Sequence, residues 1–151
     1  MPTKPFIPYT QEKTHELDDE GQLAPCKLIL IVEDDLDFAD VIKAYLTSAG
    51  YSVVAVTDGV QGIKKVMADD YAVILCDMVM PNLAGDMFYR AVERVRPHLC
   101  KRFIFMTGHQ GDAKIDAFIR QVRGLMLWKP FELHVLMEAI QAIERKSNGS
   151  S

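Results

Sequence analysis

The strongest constraint on the fold is a repeated pairing of a short apolar run with a longer stretch of helical spacing. The first, third and fourth runs are apolar almost throughout, which is typical of strands covered on both faces. Five such repeats predict an α/β domain, a (βα)5 doubly wound five-stranded parallel sheet with right-handed crossovers and helices on both faces. The predicted strands are Lys27–Val32, Tyr51–Val56, Ala72–Cys76, Arg102–Met106 and Gly124–Leu127.

The stretch after each run repeats apolar residues every three or four positions, which predicts a helix with one buried face. Gly50 and Pro97 end the first and third of these stretches, as expected of helix-terminating residues. The predicted core-facing residues are Phe38, Val41, Ile42, Tyr45, Leu46 and Ala49; Val60, Ile63 and Met67; Phe88, Ala91, Val92 and Val95; Ile115, Phe118, Ile119 and Val122; and Leu133, Leu136, Met137, Ile140 and Ile143.

Composition excludes several classes of function. The chain has 151 residues, of which 49% are hydrophobic and 25% charged, as in a soluble single domain with a substantial core. A net charge of −4 argues against direct nucleic-acid binding. No window resembles a membrane span or a secretory signal. The three cysteines form no CxxC pair, so we expect reduced thiols in a cytoplasmic protein.

The ends of the chain differ in composition from its centre. Residues 1–25 begin with three prolines before position 9 and continue into a polar, acidic stretch, which predicts a flexible leader. Residues 147–151 are rich in serine and predict a flexible tail. Residues 26–146 therefore form the expected domain.

Polar residues collect where the predicted strands end. In a doubly wound sheet, ligands bind beyond the carboxyl ends of the strands. Each polar residue also has a purely structural interpretation: an aspartate can cap a helix, a threonine can end a strand, and a lysine can extend into solvent. Asp35 is our candidate for the cap of the first helix. The residues that follow strands 1, 3, 4 and 5 are Glu33-Asp34-Asp35, Asp77, Thr107-Gly108 and Trp128-Lys129-Pro130.

The chemistry of this set indicates phosphoryl transfer. Glu33, Asp34 and Asp77 would repel one another and raise their pKa values unless a cation intervened. A few carboxylate oxygens completed by water suit Mg²⁺ better than Ca²⁺. A free carboxylate beside Mg²⁺, Lys129 and Thr107 is suited to forming an aspartyl phosphate.

Four segments carry a resemblance to a known family: LILIVEDD, ILCDMVMPNLAG, FIFMTGH and LWKPF. Taken in this order, they resemble the CheY-like receiver domain of two-component response regulators, over about residues 26–146. Thr107 lies 30 residues and Lys129 52 residues after Asp77, which is similar to the spacing in that family. The resemblance implies a flavodoxin-like fold with strand order 2-1-3-4-5.

The resemblance also implies roles for individual residues. Asp77 would be the phosphoacceptor. Asp34 would bind Mg²⁺ directly, Glu33 mostly through water, and the backbone carbonyl of Val79 would complete the protein ligands. Lys129 would pair with the phosphoryl group.

Thr107 would hydrogen-bond the phosphoryl group and shift inward on phosphorylation. The Lys129–Pro130 peptide bond is similar to one that is cis in the family. In loop positions, Pro81 and Gly85 fit the family's pattern after the acceptor strand.

The sequence departs from the family at two positions. An aromatic residue often lies three positions before the lysine, as a rotamer switch coupled to the threonine, but Met126 lies there. Gly108 replaces the alanine that is usual after the threonine. His109 and Val79 flank the phosphate site and are expected to tune dephosphorylation.

The implied function is a receiver that takes phosphoryl from a histidine kinase or a histidine phosphotransfer protein and changes its binding surface. That surface would comprise helix 4, strand 5 and helix 5, with Lys114, Arg120 and Arg123; a homodimer is left open. The receiver would catalyse only its own phosphorylation and dephosphorylation, and would be either a stand-alone regulator or part of a hybrid histidine kinase.

Two alternative functions are compatible with an aspartate at the end of a buried strand. A phosphatase of the haloacid dehalogenase type needs a second carboxylate two residues after its nucleophilic aspartate, and Asp77-Met78-Val79 has none. A pseudo-receiver that only binds partners would not need the complete set of acids, threonine and lysine.

Overall fold

The computed structural model describes residues 27–109 and 111–148, in which five parallel strands alternate with five α-helices. A short 3₁₀ helix, Pro97–Arg102, precedes the fourth strand. In chain order the elements are β1 Leu28–Val32, α1 Leu36–Ser48, β2 Ser52–Val56, α2 Gly59–Ala68, β3 Val73–Asp77, α3 Gly85–Val95, β4 Phe103–Thr107, α4 Ala113–Val122, β5 Leu125–Trp128 and α5 Leu133–Asn148.

The strand order is β2-β1-β3-β4-β5, and every neighbouring pair is parallel. The predicted fold class and strand order are therefore confirmed. Each strand begins one residue later than its predicted run, and β3, β4 and β5 also end one residue later. As a result Asp77 and Thr107 are the last hydrogen-bonded residues of their strands, which holds them more rigidly than a loop position would.

Side chains alternate across the sheet and form two core layers. One face of the sheet packs against α2, α3 and α4, with an aromatic cluster that includes Phe88, Phe103, Phe105 and Phe118. The opposite face packs against α1 and α5, mainly through aliphatic residues. Burial on both faces explains why the central strands are apolar up to their last residues.

Two helices bury a different face from the one predicted. Val41 of α1 is 56% exposed, whereas Ala39 is buried. Val60 and Met67 of α2 are 50% and 57% exposed. Ala49 at the end of α1 and Val95 of α3 are exposed as well. The prediction that residues 41, 49, 60, 67 and 95 face the core is therefore wrong.

Helix α2 instead packs through two glycines. Gly59, Gly62 and Val66 are its buried residues. A Cβ atom on Gly62 would lie 2.8 Å from a ring carbon of Phe88, so the absence of a side chain allows α2 to approach α3 closely. A hydrophobicity pattern does not register this contact, because glycine contributes no apolar side chain.

The predicted leader lies outside the described residues. Helix α5 runs to Asn148, two residues into the segment predicted as a tail, and residues 149–151 also lie outside. Across residues 27–109 and 111–148, no helix is both long enough and apolar enough to cross a membrane.

Candidate functional site

The sheet brings the polar residues of four strands to one edge. Glu33 directly follows β1, Asp77 and Thr107 end β3 and β4, and Lys129 directly follows β5. These four strands are consecutive neighbours in the sheet, so their carboxyl ends lie side by side. Three of the four residues are buried: Glu33 is 1%, Asp77 6% and Thr107 0% exposed.

Lys129 joins the two buried carboxylates. Its Nζ donates to Glu33 Oε1 at 2.7 Å and to Asp77 Oδ2 at 3.3 Å. Its backbone N–H donates to the carbonyl of Thr107 at 2.7 Å, which ties the start of the lysine side chain to the end of β4. The ammonium therefore compensates part of the negative charge that the fold buries here.

The pKa values of Glu33 and Lys129 reflect two opposing effects, burial and the pairing of opposite charges. Burial raises the pKa of Glu33 to about 7, although the hydrogen bonds from Lys129 and from the Asp35 backbone oppose the rise. Burial alone would lower the pKa of Lys129, but its hydrogen bond to Glu33 and the charges of Glu33 and Asp77 raise it above the usual value. The Lys129 ammonium thus keeps its charge at neutral pH, whereas Glu33 takes up a proton more readily than an ordinary carboxylate does.

Three acids form a candidate cation site. One carboxylate oxygen from each of Glu33, Asp34 and Asp77 lies within 4.8 Å of the other two. Asp34 is exposed, whereas the other two are buried, so the cluster opens towards solvent on one side. Hard oxygen donors of this number leave positions for water, which fits Mg²⁺.

Asp35 caps helix α1. Its side chain accepts the backbone N–H of Phe38 at 3.1 Å, and its own backbone N–H donates to Glu33 Oε2 at 3.0 Å. The interpretation of Asp35 as an N-cap is confirmed. This arrangement also orients Glu33, whose two oxygens contact Asp35 and Lys129.

The loop after β3 is held close to Asp77. The backbone N–H of Val79 donates to Asp77 Oδ1 at 3.2 Å, and that of Gly85 donates to the carbonyl of Met78 at 3.1 Å. A Cβ atom on Gly85 would lie 2.6 Å from the carbonyl oxygen of Asp77, so this position needs a glycine. Asn82, at φ 71°, donates to Asp58 across the loop at 3.0 Å.

The other predicted residues lie around the same edge. Thr107 Oγ1 accepts the backbone N–H of the exposed His109 at 3.0 Å. Gly108 has open space beside it, since the nearest atom to an added Cβ would be Lys129 Cβ at 4.0 Å. Met126 is partly buried on β5, opposite Phe105 of β4. The Lys129–Pro130 peptide bond is cis, which confirms that prediction.

Phe38 is a site residue that the sequence analysis missed. Lys129 Nζ lies over the Phe38 ring, 4.6 Å from its centroid. The edge of Phe38 also contacts Phe131, with ring centroids 5.7 Å apart and planes at 78°. The sequence signal was present, because Phe38 follows the acidic cluster by one helical turn, but helical spacing assigned it to the core.

The family follows from the whole arrangement. The model of the response regulator receiver domain matches residues 29–141, and the chain belongs to this family. It shares 30% identity over 122 residues with the response regulator receiver protein CpdR of Brucella abortus, covering 76% of this chain and 94% of that protein. It is 28% identical over 120 residues to the regulatory protein VanRB of Enterococcus faecalis, covering 79% of this chain and 53% of VanRB.

Solved structures of receivers superpose on the fold. A CheY-like receiver domain protein from Methanospirillum hungatei has a TM-score of 0.74 at 24% identity, covering 82% of this chain and 98% of that one. The receiver domain of a sensor histidine kinase from Pseudomonas aeruginosa, with a magnesium ion coordinated in its active site cleft, has a TM-score of 0.68 at 29% identity, covering 80% and 99%. The chain spans about half the length of VanRB and nearly all of CpdR.

Proposed function

We propose that this receiver accepts a phosphoryl group on Asp77 from a phosphohistidine of a histidine kinase or phosphotransfer protein. The observation that carries the proposal is the contact of one ammonium, that of Lys129, with both Asp77 and Glu33. Family membership supports it, since response regulators interact with histidine kinases and with downstream effectors.

The transfer is a displacement at phosphorus. A carboxylate oxygen of Asp77 attacks the phosphorus, the P–N bond of the phosphohistidine breaks, and the imidazole leaves with the bonding electron pair and takes up a proton. Lys129 neutralises charge on the phosphoryl oxygens from one side. The Thr107 hydroxyl, whose oxygen accepts the backbone N–H of His109, would donate its own hydrogen to another phosphoryl oxygen.

Glu33, Asp34, Asp77 and the carbonyl of Val79 would hold Mg²⁺. When bound, this ion supplies neutralising charge to the phosphoryl oxygens and to the converging acids. The receiver from Pseudomonas aeruginosa coordinates magnesium in its active site cleft, which supports the same assignment here.

We also propose that the protein is cytoplasmic and that its domain spans residues 26–146.

The response would be read at the surface of α4, β5 and α5, by a protein partner or a second copy of the chain. This surface exposes Leu125 and Trp128 together with the cations Lys114, Arg120 and Arg123. Thr107 ends β4 beside Trp128 of β5, and its carbonyl accepts the backbone N–H of Lys129, so a shift at the end of β4 would reach β5. Met126 would repack in place of an aromatic switch, because an unbranched thioether adapts readily. Gly108, His109 and Val79 would tune the lifetime of the phosphoryl group.

The phosphatase alternative gains no support from the geometry. Val79, at the position where such an enzyme needs a second carboxylate, is an apolar residue with 47% exposure. A pseudo-receiver is also disfavoured, because Glu33, Asp77, Thr107 and Lys129 are all in place.

The test is phosphorylation with acetyl phosphate and Mg²⁺, followed by intact mass. Wild type should gain one phosphoryl group, and Asp77→Asn should gain none. Asp86→Asn is the matched control, because Asp86 is an acid in the first turn of α3 and should not affect the mass gain. If wild type gains no mass with acetyl phosphate and also gains none from a competent histidine-kinase donor, the proposal is refuted.

A further inference from the structure

Lys129 carries its charge on a flexible four-carbon chain, so its direction has to be imposed by neighbours. Two neighbours are the carboxylates of Glu33 and Asp77. Both are also candidate cation ligands, and their contacts with the lysine would weaken when a divalent ion competes for the same oxygens. A third contact, which no divalent ion competes for, would keep the ammonium in place.

Phe38 provides such a contact. The negatively charged face of an aromatic ring attracts a cation within about 6 Å of the ring centroid. Lys129 Nζ lies 4.6 Å from the Phe38 centroid, well inside this limit. The side chain of Lys129 is only 23% exposed, so water screens the contact weakly.

The Phe38 ring is itself held on two sides. The backbone of Phe38 is fixed at the start of α1, where its N–H donates to the carboxylate of Asp35. Phe131, two residues after the lysine, meets the ring edge to face. The ring therefore links the first turn of α1 to the segment after β5, on the side where the ammonium lies.

We infer that Phe38 is a positioning residue, which holds the Lys129 ammonium against the Asp77 carboxylate while other cations compete for the acids. The kinetic consequence rests on the proposed phosphoacceptor function. The position of the ammonium does not, and it can be measured in the unphosphorylated protein. In this role Phe38 acts on the acceptor carboxylate through Lys129.

The first measurement is NMR of the full chain with ¹³C-labelled lysine, using Lys129→Arg to assign the Lys129 signals. Protons near the face of a ring are displaced upfield, so the ε-methylene of Lys129 should show this displacement in wild type. Phe38→Leu should abolish it, and Phe38→Tyr should restore it. If Phe38→Leu does not fold, Phe38→Met also removes the ring, and its unbranched chain adapts to the space that the ring leaves. An unchanged Lys129 signal in the ring-less variant would overturn the inference.

The second measurement is the rate of phosphorylation by acetyl phosphate at saturating Mg²⁺. Loss of the ring should slow the reaction on the order of fivefold, and Phe38→Tyr should recover most of the rate. Tyr45→Leu is the matched control, since Tyr45 is a partly buried aromatic residue on the same helix, two turns from Phe38. Equal slowing in Tyr45→Leu and Phe38→Leu would mean that helix packing, not the lysine contact, sets the rate. A wild type that is not phosphorylated at all would refute the proposed function, and the NMR result alone would then decide the role of Phe38.

Discussion

Two glycines close to Asp77 and Lys129 should respond in opposite ways to the same added methyl group. Gly85 begins α3, and its missing side chain faces the end of β3. An added Cβ would lie 2.6 Å from the carbonyl oxygen of Asp77 and 2.8 Å from Cα of Met78. Gly108 follows β4, and there the nearest atom to the Cβ would be 4.0 Å away.

The magnitude follows from what would have to move. The two closest atoms that Gly85→Ala would meet are backbone atoms. Met78 is hydrogen-bonded on each side, to Met106 at 2.9 Å and to Gly85 at 3.1 Å. Overpacking costs about 1–3 kcal/mol, and a weakened hydrogen bond adds about 1 kcal/mol. The lower conformational entropy of the unfolded chain with alanine in place of glycine offsets about 0.4–1 kcal/mol. The free energy of unfolding should therefore fall by about 2 kcal/mol.

Gly108→Ala should behave differently. The position has no left-handed backbone conformation and no close neighbour, so the methyl group meets nothing. Alanine restricts the unfolded chain more than glycine does, which stabilises the folded state by up to about 1 kcal/mol.

The assay is urea unfolding, followed by circular dichroism and by the fluorescence of Trp128, the single tryptophan of the chain. Unchanged slopes with shifted midpoints would show that stability alone has changed. A Gly85→Ala variant as stable as wild type would refute the clash derived from the Cβ distances. A Gly108→Ala variant destabilised by more than about 1 kcal/mol would refute the open space at that position.

Three further predictions follow from the same contacts. Lys129→Met should lower the free energy of unfolding by about 1–3 kcal/mol, because it leaves Glu33 buried without its cation. In urea unfolding, the double variant with Glu33→Gln should recover at least half of this loss, and no recovery would contradict the ion pair between Lys129 and Glu33. Burial alone would raise the pKa of Asp70, but the hydrogen bond from His98 and the charge of Arg102 lower it below its usual value. The stability that ionised Asp70 contributes is therefore present above about pH 4 and lost as the pH falls further. Because Asp70 is 48% exposed, Asp70→Asn should lower the free energy of unfolding at neutral pH by less than about 1 kcal/mol. The variant should also lose less stability than wild type below about pH 4, and an equal loss in both proteins would contradict the prediction. Mg²⁺ at about 100 times its Kd should raise the free energy of unfolding by about 2.7 kcal/mol, and a chelator should reverse the effect. The increase should be much smaller in Asp34→Ala; an equal increase in that variant would show that Asp34 is not a ligand of the ion.

The sequence predicted the architecture because strand and helix periods differ and because the central strands are apolar up to their last residues. It predicted the positions of Asp77, Thr107 and Lys129 since the ends of parallel strands meet at one edge. The capping role of Asp35 was predictable from local chemistry alone.

Other features depend on packing that no spacing rule describes. Helix α2 buries its glycine side because Gly62 fits against Phe88, which leaves Val60 and Met67 exposed. The contact of Phe38 with Lys129 joins residues that are 91 positions apart (129 − 38) and depends on how α1 meets the segment after β5. The sequence did not predict either contact, because the spacing of apolar residues indicates that a helix face is buried but not what it packs against.

The burial of Glu33 makes this edge a locally frustrated part of the fold. A carboxylate at 1% exposure, beside a second buried acid, opposes folding, and a neutral or apolar residue of similar size would be accommodated more easily. A screen that selects variants for heat resistance alone, without testing phosphorylation, should therefore enrich substitutions of Glu33 and its acidic neighbours first. Stability and the proposed phosphorylation make opposite demands on the same few side chains, so a heat-resistant version of this receiver should draw its gains from residues remote from this edge.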